Sequence, residues 1–585
     1  MRMANHSIRI DHDVEMKTRD GVTLRADVYR PDAPGRYPAI LSRTPYNKSA
    51  HMDPIRYCLP LPAARAGFAY VIQDIRGRFA SEGEWDFLDL TSANEADGYD
   101  AVEWVASQPW CDGHVGMAGG SYVAETQMAA ATANPPSLGC IAPSLMGMGK
   151  DRALSQGLPL ESMTVGWMAG LAIDKVVKLL PLGQASLEDL QGVLQAMVRP
   201  DLAAQVLPLN NLAILKSHDM PGYELTEQLV ENAAAHKGIQ EAGWHVPALW
   251  TAGWYDNAGG AEQFTTMRAK AATDIARSGT RLIMGGWTHN YSLSFVGSFG
   301  LGGLGSSEGG GIPALHLRYY DRHLRGGDND LAPVRYFVMR ANEWREATDW
   351  PIPGTELQRW YLHSRGSAAT NESDGVLSLD SPSAGEPEDS YSSDPHDPVP
   401  SWGFRVMYTG GTTVCGPFDQ HRVERRDDVL VYTSAPFQDP TEVVGDIRLH
   451  LFIASTAADT DVIAKLCVVS PDGTSINLAD GKARALHRNG YDTPAPLNAG
   501  EVVPMVIELG PTGYLFEPGT RLRVQIASTA FPHWARNLQT GNSLGEDAVG
   551  VVARNSVFHD EVHASYLELP VQPEPGPMAP PPLPF

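Results

Sequence analysis

The chain has 585 residues, too many for one hydrophobic core and enough for three or four domains. Its 69 acidic against 45 basic residues give a net charge of −24, which argues against nucleic-acid binding, because neutralising phosphates takes basic surface. The five cysteines form no C-x-x-C pair, no secretory leader opens the chain, and no apolar run approaches the roughly 20 residues of a membrane helix. The sequence therefore reads as a cytoplasmic protein with no membrane contact, disulfide framework, metal or cofactor.

Between residues 8 and about 143, short β-rich runs alternate with helical ones, the signature of an α/β sheet. A hairpin-rich edge comes first, then buried strands at Tyr37-Pro38-Ala39-Ile40-Leu41-Ser42 and Phe68-Ala69-Tyr70-Val71-Ile72. His114-Val115-Gly116-Met117 reads as another buried strand, and the Ala-, Met-, Gln- and Glu-rich stretch 123–131 as a helix. Between the two lies Gly119-Gly120-Ser121-Tyr122. A serine on so short a strand-to-helix turn is what a nucleophile elbow requires. Its backbone is held under strain, small neighbours avoid collision, and the free N–H groups of the helix start lie beneath it. The strict pattern places glycine two residues after the serine, where this chain has Val123.

From about 146 to 240 the periodicity is helical and strand signals are few, which predicts a cap inserted over the serine. Strands resume with Val246-Pro247-Ala248-Leu249-Trp250-Thr251-Ala252-Gly253, running into Trp254-Tyr255-Asp256. Arg281-Leu282-Ile283-Met284-Gly285-Gly286 follows, running into Trp287-Thr288-His289. A hydroxyl needs a base to become a nucleophile, and the base needs an orienting carboxylate. Ser121, Asp256 and His289 stand in the order Ser, Asp, His, each just past a strand, and so form the candidate triad. Further on, a helix is expected over 314–325, then a strand over 334–338 and a Trp-bearing turn. Residues 364–401, rich in Ser, Asp, Pro and Glu, read as a long surface excursion. Period-two alternation at Ile447, Leu449, Leu451, Ile453 and at Leu522, Val524, Ile526 predicts antiparallel strands with one buried face. The proline-rich tail 570–585 is expected to be extended and poorly ordered.

With their surroundings, the three candidate residues resemble the cocaine-esterase-like hydrolases, relatives of the X-prolyl dipeptidyl peptidases and α-amino acid ester hydrolases. Arg43-Thr44-Pro45-Tyr46, Asp74-Ile75-Arg76-Gly77 with Ser81-Glu82-Gly83, Asp97-Gly98-Tyr99-Asp100, Gln108-Pro109-Trp110 and Phe531-Pro532 with Arg536-Asn537 match in order, so the similarity spans almost the whole chain. Departures are Ala124 in place of the family's usual glycine, Asn257 after the Asp and Asn290 after the His. The resemblance implies an α/β-hydrolase domain with an inserted helical cap and a C-terminal jelly-roll β-sandwich. The expected division is hydrolase 1–145, cap 146–240, hydrolase 241–354 and sandwich 355–585. It also implies an oxyanion hole made of the Tyr46 hydroxyl and the backbone N–H of Tyr122.

The implied activity is that of a serine hydrolase acting through an acyl-enzyme. α-Amino acid ester hydrolases hold a substrate ammonium with carboxylates two and three residues after the triad Asp. Here those positions are Ala258 and Gly259, so an ammonium would lack its counter-charge. A carboxylic ester with an uncharged, small or bulky acyl group is the expectation, and an amide hydrolase, peptidase or acyltransferase using the same triad is the alternative. Candidate substrate contacts are Trp167 in the cap, Asn257, Trp287 and Phe404. The expected partner is a small-molecule ester or amide, and a homodimer is compatible with this reading.

Overall fold

The computed structural model describes residues 6–50, 57–85, 92–145, 161–208, 243–256, 259–289, 292–328, 331–369, 374–405, 415–490, 493–542 and 545–580. The N-terminal half is organised by the apolar runs at β3 (Tyr37–Thr44), β4 (Ala69–Asp74), β5 (Cys111–Gly120), β6 (Leu138–Ser144), β7 (Leu249–Tyr255) and β8 (Arg281–Thr288), preceded by β1 (Ile8–Lys17) and β2 (Thr23–Pro31). After the small hairpin β9 (Phe295–Val296) and β10 (Phe299–Gly300) come β11 (Val334–Val338) and β12 (Glu343–Ala347). Ten of these form one sheet in the order β1-β2-β4-β3-β5-β6-β7-β8-β11-β12. From β4 to β11 neighbouring strands are parallel, whereas β1, β2 and β12 pair antiparallel at the two ends. Every residue of β4, β7 and β8 is buried, as expected for parallel strands covered by helices on both faces.

The order reverses at β3, which has β4 on one side and β5 on the other. At such a switch point the connections leave in opposite directions and open a crevice beyond the carboxyl ends of the strands. Tyr46 follows β3 and Ser121 follows β5, so both border that crevice.

The cap contributes helices Glu161–Leu179, Leu187–Val198 and Pro200–Ala203, which enclose a small core of Val165, Met168, Ala169, Leu171, Ala172, Val176, Val193 and Ala196. Beyond Glu356 the chain forms an eleven-stranded sheet folded as a sandwich of jelly-roll type, from Glu356–His363 to Tyr566–Gln572. The inward residues of Thr441–Ser455 and Arg521–Ala527 are the alternating aliphatics of the sequence pattern. The sandwich is joined to the hydrolase sheet by backbone bonds between Met339, at the end of β11, and Gly513 and Leu515. Tyr255 reaches across the same boundary, its hydroxyl donating to the Asn477 carbonyl at 3.0 Å.

Three segments differ from their sequence-based expectation. The Trp-bearing turn after β11 is the strand β12, with Trp344 opposite Phe337. The excursion 364–401 supplies strands Val376–Ser378 and Asp389–Ser393, and Asp389 is buried where Ser364, Tyr432 and His559 converge on its carboxylate. The tail is held as far as Pro580: Glu346 N–H donates to the Pro577 carbonyl at 3.0 Å, and Ala579 N–H donates to the Trp344 carbonyl at 2.8 Å. The cause is β12 itself, an edge strand whose outer N–H and C=O groups would otherwise lack partners; the tail covers them. Proline does not prevent this, because the tail's carbonyls accept and the non-proline Ala579 donates. No helix among the described residues is long and apolar enough to cross a membrane.

Candidate active site

Ser121 stands between β5 and the helix Tyr122–Ala133 with φ 56° and ψ −129°, a conformation that non-glycine residues hold only when their surroundings enforce it. The surroundings here are specific. Ser121 N–H donates to the Ser144 carbonyl on β6 at 3.0 Å. The buried Gln127 amide donates to the carbonyls of Gly119 (2.9 Å) and Val123 (3.1 Å) and accepts from Ala142 N–H (2.9 Å), tying both sides of the elbow to β6. Gly119 has φ 135°, and a Cβ there would lie 2.1 Å from Val123 Cγ1. Val123 is thus tolerated in place of the usual glycine because residue 119 has no side chain.

Asp256 and His289 meet because the β7–β8 register pairs Tyr255 with Thr288, which sets the next residues of the two strands side by side. Asp256 Oδ1 lies 2.9 Å from His289 Nδ1, and both side chains are buried. A carboxylate on Nδ1 fixes the imidazole tautomer and leaves Nε2 as the nitrogen that can take a proton. Among the described residues no hydrogen bond joins Ser121 to His289; apo sites often show such bonds long, tightening only with substrate. No group of three His, Cys, Asp or Glu among the described residues is arranged to hold a metal ion.

The loop carrying Tyr46 is fixed from its backbone. Tyr46 N–H donates to Thr44 Oγ1 at 3.0 Å, and Lys48 N–H donates to Asp74 Oδ1 at 2.7 Å. Burial pushes the Asp74 carboxyl up to about 6, against the Lys48 and Ala80 N–H bonds that favour its charged form. The half-buried Tyr46 hydroxyl accepts from Trp167 Nε1 at 3.1 Å, and the Trp167 ring lies 6.4 Å from that of Tyr122. Tyr46, Tyr122 and Trp167, expected from the sequence, are therefore brought together where the cap meets the crevice.

Two other expected substrate contacts, Trp287 and Phe404, are buried. Trp287 is fully buried, donates to the Gly305 carbonyl at 2.6 Å and packs against Tyr57 and Trp344. Phe404 is 2% exposed inside the sandwich, with the His533 ring stacked at 4.6 Å and Lys465 Nζ 3.8 Å above it. Trp254 is buried at the boundary of the two domains, bonded to the Phe337 carbonyl at 2.7 Å. Asn257, Ala258 and Asn290 lie outside the described residues, whereas Gly259 is buried at the start of the helix Gly259–Lys270. Two residues that sequence reasoning missed flank the tyrosine loop: Arg78, almost wholly buried, and Trp85, beneath its guanidinium at 4.4 Å. The available signal was Arg78 itself, a cation just after Asp74-Ile75-Arg76-Gly77 and next to the aromatic Phe79.

Residues 20–291 match the family model described as X-Pro dipeptidyl-peptidase (S15 family), and residues 327–568 match that of the X-Pro dipeptidyl-peptidase C-terminal non-catalytic domain. The chain is 36% identical to the cocaine esterase of Rhodococcus sp. (strain MB1 Bresler) over 605 aligned positions, covering 97% of this chain and 100% of the relative. The chain belongs to the cocaine-esterase-like α/β-hydrolase family. It is a serine hydrolase. Solved structures agree in fold: an aminopeptidase from a marine sediment Thaumarchaeota archaeon superposes with a TM-score of 0.76 at 21% identity, covering 98% of this chain and 97% of that one. An α-amino acid ester hydrolase gives a TM-score of 0.71 at 22% identity, with 98% of each chain covered.

Proposed function

We propose that the protein hydrolyses carboxylic esters with bulky, uncharged acyl groups through an acyl-enzyme on Ser121. The observation that carries this reading is the strained Ser121 at the switch-point crevice, on the same sheet as the Asp256–His289 pair. His289 Nε2 takes the Ser121 proton as Oγ attacks the ester carbonyl carbon, and Asp256 stabilises the resulting imidazolium. The carbonyl oxygen becomes an oxyanion that receives the Tyr46 hydroxyl and the Tyr122 N–H, each worth about 3 kcal/mol in the transition state. His289 then gives its proton to the departing alkoxide. Water, deprotonated by the same imidazole, attacks the acyl carbon; as the acyl–Oγ bond breaks, the imidazolium returns the proton to Ser121 Oγ and the carboxylic acid leaves.

The Trp167 bond supports the role given to Tyr46. A phenol has one proton, and an N–H donated to its oxygen leaves that proton for another acceptor and makes it a stronger donor. Tyr46, Tyr122, Trp167 and Trp85 supply aromatic surface for the acyl group, and Ala258 and Gly259 supply no carboxylate for an ammonium. The Rhodococcus relative is named for an ester substrate, which favours esters over amides here.

Aryl and p-nitrophenyl esters should be turned over much faster than the matching anilides. Ser121→Ala should lower kcat by about 10⁴-fold or more, and a serine-reactive phosphonate should add once, on the peptide carrying Ser121. An alanine variant that still labels and turns over would refute the assignment.

A further inference from the structure

Arg78 is 2% exposed, a guanidinium withdrawn from water between the hydrolase sheet and the cap. Its fork reaches in two directions. Nε donates to the carbonyl of Pro45 at 3.0 Å, and Nη1 donates to the carbonyl of Leu171 in the cap helix Glu161–Leu179 at 2.9 Å. The group lies 3.7 Å from the Asp174 carboxylate and is covered by the rings of Trp85 at 4.4 Å and Phe79 at 5.1 Å. Asp174 also accepts from Phe79 N–H at 3.0 Å and from Lys178 Nζ at 3.0 Å, and Lys178 donates in turn to the Gly77 carbonyl at 3.1 Å. Residues 77–79 are thus already joined to the cap helix without help from Pro45.

The bond to Pro45 is therefore the informative one. Pro45 immediately precedes Tyr46, and Trp167, which donates to the Tyr46 hydroxyl, sits four residues before Leu171 on the same face of the same helix. The backbone entering Tyr46 and the hydroxyl at its far end are both fixed to one helix face, the first through Arg78 and the second directly. A buried cation carries a desolvation cost of several kcal/mol, so a tie between cap and core alone would be made more cheaply by apolar packing. The fork geometry is what a lysine or an aliphatic residue could not reproduce.

We propose that Arg78 is a positioning residue that sets the Tyr46 hydroxyl in register with the cap helix, so that seating of the cap and assembly of the oxyanion hole are one event. The proposal rests on the reading of Tyr46 as an oxyanion donor. Nothing in it requires Arg78 to touch the substrate.

A double-mutant cycle on an aryl ester tests it. Arg78→Lys keeps the charge but reaches one carbonyl rather than two. In the otherwise native enzyme it should lower kcat by roughly 10–100-fold while KM changes by less than about 3-fold, because a displacement of about 1 Å at a catalytic donor has effects of that size. In the Tyr46→Phe background the same change should cost less than about 3-fold, since the hydroxyl it positions is already gone. Circular dichroism melting of each variant checks that the fold is retained, and Arg78→Gln serves if the lysine variant does not fold. Equal losses in both backgrounds, or a normal kcat for Arg78→Lys, would overturn the proposal while leaving the oxyanion reading intact. A normal kcat for Tyr46→Phe alone would remove both.

Discussion

Gly119→Ala adds a single methyl group at the point where the elbow has least room. At φ 135° an alanine occupies a backbone region open essentially to glycine, which costs about 1–3 kcal/mol. Its Cβ would also stand 2.1 Å from Val123 Cγ1 and 2.8 Å from Val123 Cβ, far inside contact distance, and overpacking of that kind costs a further 1–3 kcal/mol or so. Val123 lies in the first turn of the helix that follows Ser121, so the nucleophile moves when it yields. The total, about 2–6 kcal/mol, is shared between lost stability and a displaced serine. Phosphonate labelling rate reads the serine and thermal inactivation reads the stability; both should fall. Adding Val123→Gly removes the collision but not the backbone strain, so the double variant should recover about half of the loss. A Gly119→Ala enzyme that labels and melts like the parent would refute the account, and so would a double variant no better than the single one.

Gln127→Leu keeps the volume but strands the Ala142 N–H and the Gly119 carbonyl, and should cost about 2–5 kcal/mol in thermal stability; an unchanged melt would refute the tie between elbow and β6. Trp167→Phe keeps an aromatic surface and deletes the N–H to Tyr46, so kcat for an aryl ester should fall about 3- to 10-fold. A changed KM at constant kcat would instead make Trp167 a substrate surface alone. In the sandwich, burial would raise the Asp461 carboxyl, but Arg484 and Lys482 hold it down to about 2. A depressed native value means that its stabilisation is complete above the unfolded value near 4 and is lost as pH falls from about 4 to about 2. Asp461→Asn should cost about 3–5 kcal/mol at neutral pH by removing the carboxylate shared by Lys482 and Arg484, with Asp459 remaining 3.7 Å from Arg484, and should flatten acid unfolding in that window. Arg536 donates to the carbonyls of Ala204 (3.4 Å) and Gln205 (3.2 Å) just past the cap helix Pro200–Ala203, so Arg536→Gln should speed limited proteolysis of the cap; cleavage at the native rate would count against that tie.

The parallel sheet was legible because its strands are nearly unbroken apolar runs, each followed by a turn that carries chemistry. Ser121, Asp256 and His289 could be ordered from that pattern alone. The β7–β8 register that brings the last two together was not legible, since pairing depends on contacts far apart in sequence. The expectation that Trp287 and Phe404 contact the substrate came from nearness in sequence or from resemblance, and neither reports how deeply a ring is enclosed. Trp287 belongs to β8, where every residue is buried. Arg78 was missed for the opposite reason. Its place beside Phe79 was the available hint, but its two carbonyl acceptors, 33 and 93 residues away, are visible only in the fold. The tail was read as loose because proline cannot continue a ladder from its nitrogen, but an edge strand such as β12 can accept a partner that pairs through alternate residues.

The three parts of the chain hold different members of the candidate site. The elbow is set within the hydrolase sheet, by β6 and Gln127. The Tyr46 loop is set from the cap, through Trp167 and Arg78. The Asp256 loop is set from the sandwich, because Tyr255, the residue before it, is anchored on the Asn477 carbonyl, and Asn477 Oδ1 in turn accepts from Phe418 N–H at 2.8 Å. A strand-rich domain without a catalytic group of its own can thus act on the reaction through the orientation of a carboxylate. The consequence for substrate choice is a division of labour. The sheet and the sandwich hold the candidate triad, which tolerates little movement, whereas the aromatic surface proposed to take the acyl group belongs to the cap and to the loops clamped to it. Changes of specificity should therefore arise around Trp167 and Trp85 with the triad geometry unchanged, within the limit that any shift of the cap helix also moves Tyr46, the proposed oxyanion donor.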